Sequence, residues 1–204
     1  MEDTNPASDP IALIDLDGTL ADYDGAMRRE LAKLCSDEEL AIMQAAPNLH
    51  ALEHEGAHWE ARMDLIKRLP GWWFGLARLE QNFALVEVMR RLDFDLHILT
   101  KGPWAKGLAW AEKVEWCQEH IPDAEVHITG SRTGKGMVYG KVLFDDYPPY
   151  VESWLKWRHR GLAILPAQPW NEGFTHDNAI RWDGSAQARE AIVTRLTEIR
   201  ASCD

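Results

Sequence analysis

Two short acidic pairs hold most of the chemistry this chain could perform. Asp15 and Asp17 close the run Ile11-Ala12-Leu13-Ile14, and Asp145-Asp146 closes Val142-Leu143-Phe144. Uninterrupted apolar runs of this kind read as strands buried on both faces, as at the centre of a parallel sheet. Carboxylates at the carboxyl ends of such strands lie where open α/β sheets bind ligands. Like charges gathered there repel unless a cation joins them, which predicts a hard divalent metal, most simply Mg²⁺. Gly18 lets the chain turn away, so that both side chains of the first pair face one small volume. Strands disfavour Asp, so acidic pairs at two separate strand ends are hard to explain structurally.

Two further residues fit a phosphoryl group. Thr100 ends Leu96-His97-Ile98-Leu99, and a hydroxyl there, beside free backbone N–H groups, suits a phosphate oxygen. Lys135 supplies a fixed ammonium that can neutralise an attacking carboxylate and the charge building on phosphoryl oxygens. Lys141 competes for that role but opens the fourth strand, at the wrong end of the sheet. The stretch Gly130 to Gly136 approaches a P-loop. It is one residue short and has Gly where the metal-binding Ser or Thr belongs, so a P-loop is rejected. His50, His54 and His58 recur every four residues along one expected helix face. Such a stripe could bind Zn²⁺, but it is more often a solvated face titrating near neutrality.

Positioning these residues calls for alternating strands and helices. Strands are expected at 11–14, Leu96–Thr100, Glu125–Thr129, Lys141–Asp146 and Gly161–Leu165. A first helix carries Met27, Leu31 and Leu34, a second starts from Ser36 with Glu39 three residues on, and a third spans about His50 to Leu69. Pro70-Gly71 stops it. Further helices are expected around Val86–Leu92, over Trp104–His120 and over Ser185–Ala201. The alternation implies a doubly wound parallel sheet of α/β class. Residues 24–78 read as a helical insertion after the first strand, residues 10–23 and 79–204 as the core, and residues 1–9 as a disordered lead.

Bulk properties narrow the partners. The chain has 204 residues, enough for one substantial core with a small accessory domain. A net charge of −11 argues against a nucleic-acid polymer, whose binding needs a basic stripe, but permits a small phosphorylated ligand beside a metal. Cys35, Cys117 and Cys203 are odd in number and far apart, as expected of reduced thiols in a cytoplasmic protein. The N-terminus is acidic and polar, unlike a signal peptide, and no apolar run approaches the ~20 residues that cross a bilayer. The sequence leaves open whether the protein forms a homodimer.

Asp15-Leu16-Asp17-Gly18-Thr19-Leu20 resembles the opening motif of the haloacid dehalogenase superfamily, and Thr100, Lys135 and Asp145-Asp146 follow in the superfamily's order. Within it, residues 11 to 172 are most similar to the 5′(3′)-deoxyribonucleotidases. Asp22-Tyr23 resembles that family's Asp-Phe, Trp72-Trp73-Phe74 its aromatic triplet, and Glu112-Lys113-Val114-Glu115-Trp116 its Glu-Lys-x-x-Trp helix. His58-Trp59 stands loosely for a Phe-Trp pair of the cap, and Pro169-Trp170-Asn171 resembles a loop of bacterial relatives.

The resemblance implies a Rossmann-like core with a small helical cap. It implies Asp15 as nucleophile and Asp17 as general acid and base. Mg²⁺ would be held by Asp15, the Asp17 carbonyl and Asp146, with Asp145 in support. Thr100, Lys101 and Lys135 would bind phosphate, Lys101 standing where the family has Ser. Tyr23, Trp73 and Trp59 would line a nucleoside pocket, and Arg132 would replace the family's arginine outside strict register. The expected activity is Mg²⁺-dependent hydrolysis of (deoxy)ribonucleoside monophosphates. The rivals are a phosphatase for another small metabolite, such as a sugar phosphate, and a non-catalytic nucleotide-binding protein.

Overall fold

The computed structural model describes residues 9–103, 107–130 and 134–202. Six strands form one sheet: β1 (Ile11–Ile14), β2 (Asp95–Lys101), β3 (Glu125–Thr129), β4 (Val142–Phe144), β5 (Leu162–Pro166) and β6 (Ala179–Trp182). They lie in the order β3-β2-β1-β4-β5-β6, and every pairing is parallel. The chain winds outward from β1 in both directions, so the strand order reverses beside β1, where open α/β sheets place their ligands.

Side chains alternate between the two faces. Ala12, Ile14, Val142, Phe144, Leu162 and Ile164 enter one core. Leu13, Leu99, Leu143, Ala163 and Leu165 enter the other. The first face is covered by α5 (Glu80–Arg91), α6 (Gly107–His120) and α9 (Ala186–Ala201), which contribute Val86 and Met89, Trp116 and Cys117, and Ile192 and Leu196. The second is covered by α8 (Pro148–Leu155) through Val151, Trp154 and Leu155. Because both faces are dry, the strands read as continuous apolar runs rather than alternating ones.

Between β1 and α5 lie α1 (Tyr23–Ala32), α2 (Asp37–Ala45), α3 (Leu49–Glu53) and α4 (Ala57–Ile66). They bury a cluster of their own: Met27, Leu31, Met43, Leu49, Leu52, Trp59, Met63 and Ile66. The expected cap on α2 is present, with Ser36 and Glu39 closing a reciprocal capping box. The long helix expected from His50 to Leu69 is two helices. Gly56, at φ +151°, separates them in a conformation closed to most L residues.

Several of the described elements were not expected from the sequence, among them a short 3-10 turn at Pro169–Asn171. The others include β6, the four-residue helix α7 (Gly134–Met137) that carries Lys135, and α8 beginning at Pro148. Residues 1–8 of the expected lead at 1–9, and the helix start at Trp104, lie outside the described residues. No helix among those described is long and apolar enough to cross a membrane.

Candidate active site

The parallel register brings the acidic pairs together. Ile14 pairs with Phe144 across β1 and β4, so Asp15 and Asp145 leave the sheet side by side, and the Asp15 N–H donates to the Phe144 carbonyl at 2.8 Å. Oxygens of Asp15, Asp145 and Asp146 all lie within 4.8 Å of one another. Lys135 reaches between them from α7, donating to Asp15 Oδ1 at 2.5 Å and to Asp145 Oδ2 at 2.8 Å. All four side chains are buried.

The turn after β1 is shaped around Asp146. Gly18 has φ +79°, and a Cβ there would stand 2.5 Å from Asp146 Oδ2. The Asp146 N–H donates to Thr19 Oγ1 at 3.1 Å. Trp170 Nε1 donates to Asp146 Oδ2 at 3.0 Å, and Asn171 Nδ2 to the Asp146 carbonyl at 2.9 Å. The Pro169-Trp170-Asn171 turn is thus the outer support of the second acidic pair.

Asp17 faces a different cation. Lys113, on α6 and without solvent exposure, is paired with Asp17 Oδ2. The same Nζ donates to Thr100 Oγ1 at 3.1 Å and to the Lys101 carbonyl at 2.9 Å. Asp17 Oδ1 is buried with no hydrogen-bond partner. Lys101 meets this network through its backbone.

The electrostatics show a surplus of negative charge. Burial, with Asp145 and Asp17 adding to it against the pull of Lys135, raises the Asp15 carboxyl to about 7. Burial, then Asp15 and Asp145, raise Asp146 well above the usual carboxylate range. Burial opposes the Lys135 charge, yet Asp145 and Asp15 outweigh it and hold the ammonium above its ordinary value. Three clustered carboxylates beside one ammonium, all offering oxygen, with an orphaned Asp17 oxygen nearby, fit a small hard cation of the Mg²⁺ type. Such a set can fix a nucleophilic carboxylate against a phosphoryl group and keep a second carboxylate close for proton transfer.

The aromatic residues divide. Tyr23 stacks on Trp73 with centroids 5.6 Å apart, and Trp72 meets both edge-on. Trp73 is 3% exposed, with Lys113 Nζ 4.5 Å from its ring centroid. It therefore backs Tyr23 rather than presenting an open face. Trp59, expected at the pocket, instead fills the core of the helical insertion at 1% exposure, with Arg62 over its ring. The loose match at His58-Trp59 gave no periodicity that could separate pocket from core. Arg132 lies outside the described residues. The expected histidine stripe is interrupted at Gly56, and among the described residues neither His54 nor His58 joins a metal-type cluster.

Sequence reasoning assigned no role to Lys113 or Glu112. Glu112 accepts from the Gly71 N–H at 2.7 Å and the Trp73 N–H at 3.0 Å, and Trp116 Nε1 donates to the Leu76 carbonyl at 2.8 Å. One helix thereby ties the aromatic segment and Asp17 together. The available signal was the Glu-Lys-x-x-Trp resemblance, which marked the helix without saying what each residue touches.

The fold is that of haloacid dehalogenase-like hydrolases. Structures similar to this chain include a putative HAD-hydrolase, YfnB, from Bacillus subtilis bound to magnesium. It has a TM-score of 0.58 and 12% identity over 91% of this chain and 98% of that one. A putative beta-phosphoglucomutase from Thermotoga maritima has a TM-score of 0.53 and 15% identity over 93% and 99% of the two chains. At these identities the likeness is one of fold. No curated protein matches the sequence. The family profile described as 5′ nucleotidase, deoxy (Pyrimidine), cytosolic type C protein matches residues 9–197. The chain belongs to that family, and is a phosphatase of the haloacid dehalogenase type.

Proposed function

We propose that this chain hydrolyses (deoxy)ribonucleoside monophosphates to nucleoside and phosphate, with Mg²⁺, through an aspartyl-phosphate on Asp15. The convergence of Asp15, Asp145 and Asp146 around Lys135, in a chain of a nucleotidase family, carries the reading. Mg²⁺ would be held by Asp15, Asp146 and the Asp17 carbonyl, with Asp145 in support, and when bound would neutralise charge between carboxylate and phosphoryl oxygens.

In the first step an Asp15 oxygen bonds to phosphorus as the ester P–O bond breaks, and Asp17 gives its proton to the leaving oxygen. In the second, water bonds to phosphorus as the bond to Asp15 breaks, and Asp17 takes the proton. Splitting the displacement this way replaces one hard step by two easier ones. Lys135, Thr100 and Lys101 hold the phosphoryl oxygens, and Lys113 orients the Asp17 carboxylate. Residues 24–78 act as a cap over the core at 10–23 and 79–204, with Tyr23 meeting the base and Arg132 adding a contact. The protein works in the cytosol on a small diffusible substrate.

The burial of Trp73 behind Tyr23 favours a second reading, a phosphatase for a smaller ester with no base to stack. Phosphate release from all deoxy- and ribonucleoside monophosphates and from simple sugar phosphates, with and without Mg²⁺, separates the two. Preference for nucleotides supports the first, and Asp15→Asn should abolish turnover while Asp17→Asn nearly does so. Full activity in either variant would refute the assignment, and equal turnover of sugar phosphates would select the second reading.

A further inference from the structure

A second cluster of ligand-type side chains stands on β2 and β3, away from the acidic pairs. The register sets His97 opposite Glu125 and Leu99 opposite His127. Alternation then puts His97, Glu125 and His127 on the same sheet face as Leu99. β3 is the edge strand, and His97 lies three residues before Thr100 on β2, about 10 Å from the phosphate end of the strand.

The two imidazole rings are nearly coplanar in orientation, 4° apart, with centroids at 5.0 Å. His97 Nδ1 and His127 Nε2 are 2.7 Å apart. Glu125 Oε2 is 3.8 Å from the first nitrogen and 3.9 Å from the second. In this structure the two nitrogens point at each other in a hydrogen bond, and modest rotation of the rings turns both, with the Glu125 carboxylate, onto one ion at zinc-type bond lengths of about 2.0–2.2 Å. On the far side of the ring, His97 Nε2 is 3.0 Å from Asp95 Oδ2. An ionised carboxylate only accepts, so His97 Nε2 carries the proton and Nδ1 accepts from His127 Nε2–H, with Glu125 beside both nitrogens. A histidine whose second nitrogen is held by a carboxylate is the arrangement that orients metal ligands.

From this geometry we infer that His97, His127 and Glu125 form a binding site for a borderline transition-metal ion of the Zn²⁺ kind, with Asp95 as the positioning residue. The ion joins β2 to the edge strand through three protein ligands and leaves a fourth position for water. On binding, the proton on His127 Nε2 goes to solvent, and Nδ1 of the same ring is protonated in its place, so both facing nitrogens ligate without a change in ring charge. Asp93 shares a surface depression with Asp95, where Arg90 is paired with Asp123. The site is independent of the hydrolytic reading, since it shares no residue with the acidic pairs.

Chelator-treated full-length protein, in millimolar Mg²⁺ to occupy the acidic cluster, is titrated with Zn²⁺ by calorimetry and with Co²⁺ by visible absorption. One ion is expected to bind with a dissociation constant on the order of micromolar or tighter, with the intense absorption of four-coordinate Co²⁺. Asp95→Asn should weaken binding by about 10–100-fold, and His127→Ala should abolish it without changing phosphatase activity. Glu125→Gln, at a largely exposed side chain, stands in where His127→Ala fails to fold, and should weaken binding likewise. Binding to His127→Ala or Glu125→Gln that equals wild type would overturn the site, as would wild-type binding no tighter than about 100 μM.

Discussion

Lys113 and Lys135 are both buried ammonium groups, yet the chain advertises them differently. Lys135 was legible because its place before an acidic strand end matches the superfamily's order, while Lys141 opens the strand at the wrong end of the sheet. Lys113 sits among Glu112, Glu115 and Glu119, a run that reads as the solvated side of a helix. Only the packing of α6 against Trp73 and the strand ends reveals that it is enclosed and paired with Asp17. Replacing it by Met would leave the partly exposed Asp17 carboxylate without its counter-charge. Lys113→Met should destabilise the metal-free protein by about 1–2 kcal/mol in urea unfolding, and lower kcat by about 100-fold. Unchanged kcat would remove Lys113 from any part in orienting Asp17.

At the scale of elements, α6 joins the aromatic segment to Asp17, and under the proposed function it would couple binding to chemistry. Its Glu112 carboxylate takes two backbone N–H groups of the aromatic segment, and its next residue holds Asp17. Glu112→Gln keeps the shape but turns one acceptor into a donor facing an N–H. That should cost about 1–2 kcal/mol, read as a raised KM for nucleotides with a kcat little changed. A kcat loss as large as that of Lys113→Met would show that the segment serves the chemical step.

The strands of the core and the Ser36 box were readable from local pattern, since buried parallel strands and capping residues depend on near neighbours. β6 was not, because Ala179-Ile180-Arg181-Trp182 is short and carries an exposed Arg181. The histidines show the same limit from the other side. The i, i+4 spacing of His50, His54 and His58 pointed to a helix face that Gly56 interrupts, whereas His97 and His127 meet only through strand register. Local periodicity cannot report pairing across thirty residues.

For the whole molecule, the central fact is a cluster whose charge is unbalanced without a cation. Asp15, raised from 3.8 to about 7, and Asp146, also raised, hold protons more tightly folded than unfolded. Such groups contribute stability below about pH 4 that is lost as pH rises toward 7. A metal taking the place of those protons should therefore stabilise most where they are absent. Mg²⁺ should raise Tm by several degrees at pH 8 and by much less at pH 5, as differential scanning calorimetry would show. Equal shifts at both pH values would place the ion elsewhere.

The most direct test is a crystal structure with Mg²⁺ and beryllofluoride, a mimic of a phosphoryl group on a carboxylate. The account predicts beryllium bonded to an Asp15 oxygen, and Mg²⁺ about 2.1 Å from oxygens of Asp15 and Asp146. Beryllofluoride on another residue, or a metal bound without Asp146, would contradict it.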